Sequence, residues 1–310
     1  VRVFVAGATG VIGRRLVPML VADGHQVTGM VRSAQRVEAL QALGAEPAIA
    51  DALDAAAVRR AMSEARPDAV IHELTALPAR IDPRKIERDF ALNDRLRSEG
   101  TRHLVDAARA VGADRIIAQS IAFAYAPGPP GTVHGEQDPL FLQASPPFKR
   151  SVEALRDLDS AVLGARGVVL RYGYFYGPGS AISRGGSIVV DVARRRLPIV
   201  GAGSGVWSFI NVDDAARATV AALTGGASGA YNIVDDDPAR VSDWIPALAE
   251  AIGAPRPFRV PAIIARLAAG SYGVRTMTEG QGASNALAKR ELAWSPRLQS
   301  WRQGFATALG

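Results

Sequence analysis

The first thirteen residues limit the fold more than any other stretch. Val1, Val3 and Val5 alternate in a short apolar run, which predicts a buried strand. Gly7, Gly10 and Gly13 follow, and then Arg14 to Ala22 carries Leu16, Val17, Leu20 and Val21 at helical spacing. Strand, glycine turn and helix in that order suit a pyrophosphate, because the helix start offers free N–H groups and a positive dipole end. Gly7 permits the tight turn, Gly10 lets the backbone approach the phosphates, and Gly13 lets the helix lie close to the strand. Thr9, Val11 and Ile12 share the loop and join the three glycines as candidate dinucleotide contacts. The spacing is G-x-x-G-x-x-G, so the reading rests on the flanking strand and helix rather than on the glycines alone.

Downstream, strands are predicted at 26–31, 46–50, 68–75 and 115–120, with helices at 35–43, 54–65 and 86–110 between them. That alternation predicts an α/β chain with a parallel, doubly wound sheet. The second strand ends Met30-Val31-Arg32-Ser33, with Arg36 a turn later. This position faces the adenosine ribose, where an acidic residue would favour NAD. Arginine pairs well with a phosphate, so Arg32, Ser33 and Arg36 favour NADP over NAD. The third strand ends at Asp51-Ala52, where a carboxylate can accept from the adenine amino group. An N-cap for the helix near 54–65 is the alternative for Asp51, and Asp54 also fits that role.

Composition narrows the class. The chain has 310 residues, enough for one large domain or two, and no cysteine, which removes disulfides, thiolate metal sites and a cysteine nucleophile. Four scattered histidines, His25, His72, His103 and His134, lack metal-ligand spacing, so no metal site is expected. No apolar run is long enough to span a membrane. The strand at the start leaves no room for a signal peptide, so a cytoplasmic enzyme is expected. A net charge of +6 and a pI near 10.0 raise nucleic acid as a partner. The arginines are spread along the chain, however, and no nucleic-acid partner is expected; a basic surface also attracts a polyanionic cofactor. Lys85, Lys149 and Lys289 are the only lysines.

Several later segments fit one pattern. They are Val70-Ile71-His72, Glu99-Gly100-Thr101 with Leu104 to Ala108, and Leu170-Arg171-Tyr172-Gly173 running on to Gly177-Pro178-Gly179. Ser208-Phe-Ile-Asn-Val-Asp-Asp214 and Arg290-Glu-Leu-Ala-Trp-Ser-Pro296 complete it. Together with the glycine loop and Asp51, in this order, they resemble the extended short-chain dehydrogenase/reductases, the group containing nucleotide-sugar epimerases and dehydratases. The resemblance implies a Rossmann-type doubly wound parallel sheet with a smaller C-terminal substrate-binding region. It divides the chain into a dinucleotide-binding part, 1–171 completed by 207–234, and a substrate-binding part, 172–206 and 235–310. It also implies cofactor contacts at Ala52, Leu74, Thr75 and Gly173, and pairing of two copies through the helices near 85–110 and 149–163.

The chemistry of that family uses Ser or Thr, Tyr and Lys. Ser polarises the carbonyl, Tyr moves the proton, and Lys lowers the tyrosine pKa and holds the nicotinamide ribose. Ser120, at the end of the fifth strand, is the candidate serine. Lys149 is the candidate lysine, with Glu153 four residues later and Arg171 at the expected distance. Four residues before Lys149, where Tyr belongs, stands Ser145. A serine hydroxyl is far less acidic than tyrosine, whose pKa is about 10. Three readings stay open. Tyr125, Tyr174 or Tyr176 supplies the proton; Ser145 relays it through water to Lys149; or the usual hydride chemistry does not occur. Two further departures are Leu74-Thr75 in place of Ala-Ala, and Arg97 where the family has Asn, with Asn93 one turn earlier.

The expected substrate region is largely apolar, with Phe123, Phe148, Tyr174 and Trp207 foremost and Leu77, Phe175 and Tyr272 beside them. Arg184, Arg194 and Arg275 are candidates to meet an anion. Asp235-Asp236-Asp237 before Pro238 is read as a turn. The expected function is NADP-dependent hydride transfer to or from a carbonyl or alcohol of a small, largely apolar molecule. The alternatives are a non-redox epimerase, dehydratase or cyclase on the same scaffold, or an NADP-sensing regulatory protein.

Overall fold

A computed structural model describes residues 1–309 apart from Pro83, Pro130, Ser145 and Pro147, and leaves out the side chain of Ala308. Seven strands form the central sheet: β1 Arg2–Ala6, β2 Gln26–Val31, β3 Glu46–Ile49, β4 Ala69–His72, β5 Arg115–Ile121, β7 Val168–Tyr172 and β12 Gly229–Ile233. Their order is β12-β7-β5-β4-β1-β2-β3, and every pairing is parallel. The chain runs outward from β1 to β3, then returns to the other side of β1 at β4. That reversal opens a crevice at the strands' C-terminal ends between β1 and β4, the place where such sheets bind ligands.

Helices cover both faces. α1 Gly13–Ala22, α2 Val37–Gln41, α8 Val212–Thr224 and α11 Ala286–Glu291 bury Leu16, Leu20, Leu40, Ala218 and Ala288 on one side. α3 Ala55–Ala65, α5 Thr101–Ala110 and α6 Phe148–Gly164 bury Met62, Leu104 and Leu158 on the other. The near-continuous apolar strands, such as Val3 to Ala6 and Val168 to Leu170, follow from being covered on both faces. α4 Ile86–Arg95 continues into α5 through a π-helical turn, Leu96–Gly100. Asp54 accepts from the N–H groups of Ala56 and Ala57 at 3.0 Å each, so Asp54 is the cap of α3 and Asp51 is not.

Two-stranded ribbons build the rest: β6 Val133–His134 with β15 Gly282–Ala283, β8 Tyr174–Tyr176 with β11 Phe209–Asn211, β9 Ile199–Val200 with β14 Arg259–Val260, and β10 Val206–Trp207 with β13 Ala239–Arg240. The strand expected after residue 207 therefore pairs with β8 and not with the central sheet. α7 Ser187–Ala193, α9 Val241–Ala251 and α12 Trp301–Leu309 enclose a second core of Tyr176, Phe209, Trp244, Trp301 and Phe305. α10 Ala262–Thr278 is broken at Gly270, whose φ of 67° and ψ of −179° end the helical path and re-aim the second half. The strand expected over 68–75 stops at His72, because Leu74 N–H turns back to His72 Nδ1 at 3.2 Å. The triple-aspartate segment is a turn, and the described residues hold no acidic or histidine cluster fit for a metal.

Candidate active site

The glycine loop is fixed by backbone contacts. Gly7 sits at φ 96°, and a Cβ there would lie 2.6 Å from the backbone C and O of Glu73. A Cβ on Gly13 would lie 2.2 Å from Gly7 O and 2.5 Å from Ala8 O, so only glycine lets α1 start this close to β1. Gly10 N–H donates to Gly7 O at 2.9 Å, while the N–H groups of Val11 and Ile12 have no backbone acceptor among the described residues. Arg14 Nε donates to Thr9 O at 2.9 Å and shapes the loop from outside. Free N–H groups at the mouth of α1 and missing side chains where a phosphate would lie fit a dinucleotide.

At the end of β2, Arg32 and Arg36 are exposed, and neither guanidinium has an ion pair among the described residues. Ser33 Oγ donates to Gln35 Oε1 at 3.3 Å. Asp51 Oδ1 accepts from Leu53 N–H at 2.9 Å, which leaves Oδ2 for another donor. Ala52 is buried, and its carbonyl meets His103 Nδ1 at 2.9 Å. Leu74 is half-buried against the α3–α5 layer, and Thr75 is exposed. Gly173 is small for a packing reason, since a Cβ there would lie 2.4 Å from Ser208 O.

Ser120 is buried on β5, opposite Arg171 on β7, with its hydroxyl beside the Asp159 carboxylate. Beside it runs a charged network. Arg171 donates through Nη2 to Asp159 Oδ2 at 2.7 Å, and through Nη1 to Tyr125 Oη at 3.0 Å and Glu136 O at 3.1 Å. Tyr125 in turn donates to Asn232 Oδ1 at 2.6 Å. Lys149 stands at the start of α6, half exposed, 3.9 Å from Glu153. Ser145 lies outside the described residues.

The other tyrosines are placed as follows. Tyr172 donates to Glu73 Oε1 at 3.0 Å, and Tyr231 to Ala227 O and Glu291 Oε2. Tyr176 is core, packed on Gly304 and Phe305. Tyr174 is sandwiched between Phe123 at 4.1 Å and Trp207 at 3.8 Å. Tyr272 from α10 meets Phe148 at 4.9 Å, and burial pushes its hydroxyl up to about 12.

Phe123, Phe148, Tyr174 and Tyr272 wall a pocket that opens to solvent, lined also by Phe141 and Arg275. Trp207 sits behind Tyr174 and donates to Thr276 O at 3.0 Å, so it braces the wall. Phe175 turns away into the main core, and Leu77 is exposed.

Two buried ionisable groups near the site are given no role by the sequence pattern. Arg97 lies in the π-helical turn, 5% exposed, with no hydrogen bond or ion pair among the described residues; burial pulls its guanidinium down to about 10. His72 accepts from Leu74 N–H, so its Nε2 carries the proton toward Thr101 Oγ1 at 3.0 Å. Burial, and then the Arg97 charge, lower it to about 4, and His72 is a neutral strand residue.

Glu73 is the second group. Burial pushes its carboxyl up to about 8, while hydrogen bonds from Tyr172 and Thr219 oppose the rise. Between about 4.5 and 8 the folded chain keeps a proton that the unfolded chain gives up, so Glu73 makes stability fall as pH rises through that window. Glu73→Gln is expected to flatten the slope of unfolding free energy by about 1.4 kcal/mol per pH unit there. Urea unfolding at pH 5, 6 and 7 measures it; an unchanged slope would mean that Glu73 is ionised in the fold. Asp235, also raised by burial to about 8, keeps part of the slope in both proteins.

Known proteins share this fold. The model of the NAD-dependent epimerase/dehydratase family matches residues 3–234. A 3-diazoavenalumate denitrifying reductase from a Streptomyces species is 45% identical over 98% of this chain and 99% of its own length. The UDP-glucose 4-epimerase of Thermotoga maritima, solved with UDP-glucose, superposes with a TM-score of 0.78 at 21% identity, covering 99% of this chain and 97% of that one. The UDP-glucose 4-epimerase of Thermus thermophilus, in complex with NAD, gives 0.75 at 24% identity over 100% and 98%. Both solved structures share the Rossmann-type doubly wound sheet. The chain is an NAD(P)-dependent oxidoreductase and belongs to the NAD-dependent epimerase/dehydratase family.

Proposed function

We propose that this enzyme uses NADPH to reduce an aromatic molecule at a group that takes a hydride without needing a proton, a diazo group. The observation that carries the reading is the missing proton donor. Position 145, four residues before Lys149, is serine, and Tyr125 is held by Asn232 and Arg171. When bound, the cofactor supplies a hydride. A carbonyl that takes it becomes an alkoxide and needs a proton. An aryl diazonium group that takes it leaves as dinitrogen, and an aryl hydride remains, with no net proton consumed. The name of the Streptomyces relative, a 3-diazoavenalumate denitrifying reductase, supports this choice.

In this reading Gly7, Thr9, Gly10, Val11, Ile12 and Gly13 hold the pyrophosphate. Asp51 takes the adenine through its free oxygen. Arg32 and Arg36, both without ion pairs among the described residues, hold the 2′-phosphate. Lys149 holds the nicotinamide ribose, and Ser120, beside Asp159, orients the reacting group. The aromatic wall stacks the substrate ring.

One observation favours a second reading. Tyr272 brings a hydroxyl to the pocket wall within reach of the Arg97 charge, which suits proton delivery to a ketone. Tyr272→Phe separates the two, since it would stop ketone reduction and leave diazo reduction intact.

The test offers a diazo-bearing cinnamate with NADPH and follows dinitrogen release against cofactor oxidation. One dinitrogen per NADPH, with activity kept in Tyr272→Phe, is the expected result; oxidation without dinitrogen would sink the reading. Arg32→Ala is expected to weaken NADPH roughly tenfold or more and leave NADH unchanged, since a charged hydrogen bond contributes about 1.5–3 kcal/mol. Equal effects on both cofactors would remove the 2′-phosphate role.

A further inference from the structure

We propose that Arg275 is the carboxylate-reading residue of the aromatic pocket, and that the substrate is a planar aromatic acid held by its ring at one end and its carboxylate at the other. The inference rests on the aromatic-substrate reading above and extends it to a specificity residue.

Arg275 stands on the second half of α10, beyond the break at Gly270. Its backbone is held in place on either side, because Thr276 Oγ1 donates to Tyr272 O at 2.9 Å and Trp207 donates to Thr276 O. Its guanidinium lies 3.6 Å over the Phe141 ring. Stacking uses the face of the guanidinium and leaves the N–H donors at its edge free for a ligand in the pocket that Arg275 lines. That edge is a fork suited to a carboxylate.

The guanidinium is poorly matched within the chain. Its one acidic contact is Glu279, reached through Nε at 3.5 Å and 61% exposed, an arrangement that contributes little. Its Nη groups make no hydrogen bond among the described residues. Of the other polar groups on the wall, His134 and Gln281 are satisfied locally, while the Glu279 carboxylate and the Tyr272 hydroxyl also line the pocket. His134 is bound by Asp138 at 2.8 Å and Gln281 at 3.0 Å, and Gln281 also binds Gly128 and Pro129. Among the described lining residues Arg275 is the one guanidinium, in a pocket that the stacked rings of Phe123 and Tyr174 also line. A half-buried cation facing an aromatic slot selects a ring that carries an anion over the same ring without one.

Trans-cinnamate and cinnamamide share shape and differ in charge, so calorimetry with both on the NADP⁺-saturated enzyme tests the assignment. The wild type is expected to bind the acid at least tenfold more tightly than the amide. Arg275→Gln should erase that preference, Arg275→Lys should keep part of it, and both should melt like the wild type. Equal binding of acid and amide by the wild type, or a preference that survives Arg275→Gln, overturns the proposal. So does a preference lost in Arg97→Gln and kept in Arg275→Gln, which would move the anion to the buried arginine. Binding of neither probe overturns it as well. Neither probe carries a diazo group, so the result stands apart from whether the reduction proposed above occurs.

Discussion

Gly13→Val is expected to abolish dinucleotide binding, with affinity for NADPH and NADH falling at least a hundredfold, about 3 kcal/mol. The cause is backbone against side chain. Any Cβ at position 13 lies 2.2 Å from Gly7 O and 2.5 Å from Ala8 O, and neither carbonyl can move without opening the turn. Relief comes only by pushing α1 off β1, which carries the N–H groups of Val11 and Ile12 away from the phosphates. The same overpacking costs about 1–3 kcal/mol of stability. Gly10→Ala is the graded control, since its Cβ meets only Gly7 O, at 3.1 Å. Calorimetric titration with both cofactors, beside thermal melts, distinguishes lost binding from lost fold. A folded Gly13→Val protein that binds NADPH like the wild type would show that the dinucleotide lies elsewhere.

Arg171→Met is expected to destabilise the enzyme by about 3–5 kcal/mol, the largest stability effect anticipated for a single side chain here. The side chains of Arg171 and Asp159 are 7% and 8% exposed. Removing the cation leaves Asp159 buried without its 2.7 Å partner, and Tyr125 loses one of its two polar contacts. The deficit comes mainly from the orphaned carboxylate. Arg171→Met combined with Asp159→Leu is therefore expected to recover much of the loss. Urea unfolding of the two single variants and the double variant gives the coupling. A strictly additive double variant would mean that the ion pair contributes nothing beyond packing.

The central sheet was legible because its determinants are local. Apolar runs such as Val3 to Ala6, glycines at a strand end, and helical periodicity after them each fix an element within a dozen residues. The Asp51 and Asp54 choice was also local, but needed the geometry of α3 to decide. What escaped depends on residues far apart in sequence. Tyr125, Asp159, Arg171 and Asn232 meet only once β5, α6, β7 and β12 are side by side. Tyr125 was therefore open as a proton donor in the sequence, and the fold gives its hydroxyl two fixed partners. By aromatic character alone, Trp207 and Phe175 both suit a pocket. The pairing of β8 with β11 decides which way each faces, setting Trp207 behind Tyr174 and Phe175 in the main core. Arg275 was one arginine among many until the break at Gly270 laid it over Phe141.

The position of β12 has a consequence for how the chain is made. β7 is complete at Tyr172, yet the neighbour that closes its outer edge, Gly229–Ile233, is synthesised some tens of residues later, a delay of seconds at about 5–20 residues per second. Through that interval the nascent sheet ends in an apolar edge, Val168 to Leu170, with unpaired backbone groups. Asn232 belongs to the same late strand, so Tyr125 and Arg171 also wait for it. The strand that pairs with β7 thus also completes the polar network beside Ser120, so that network forms only after β12 has been made.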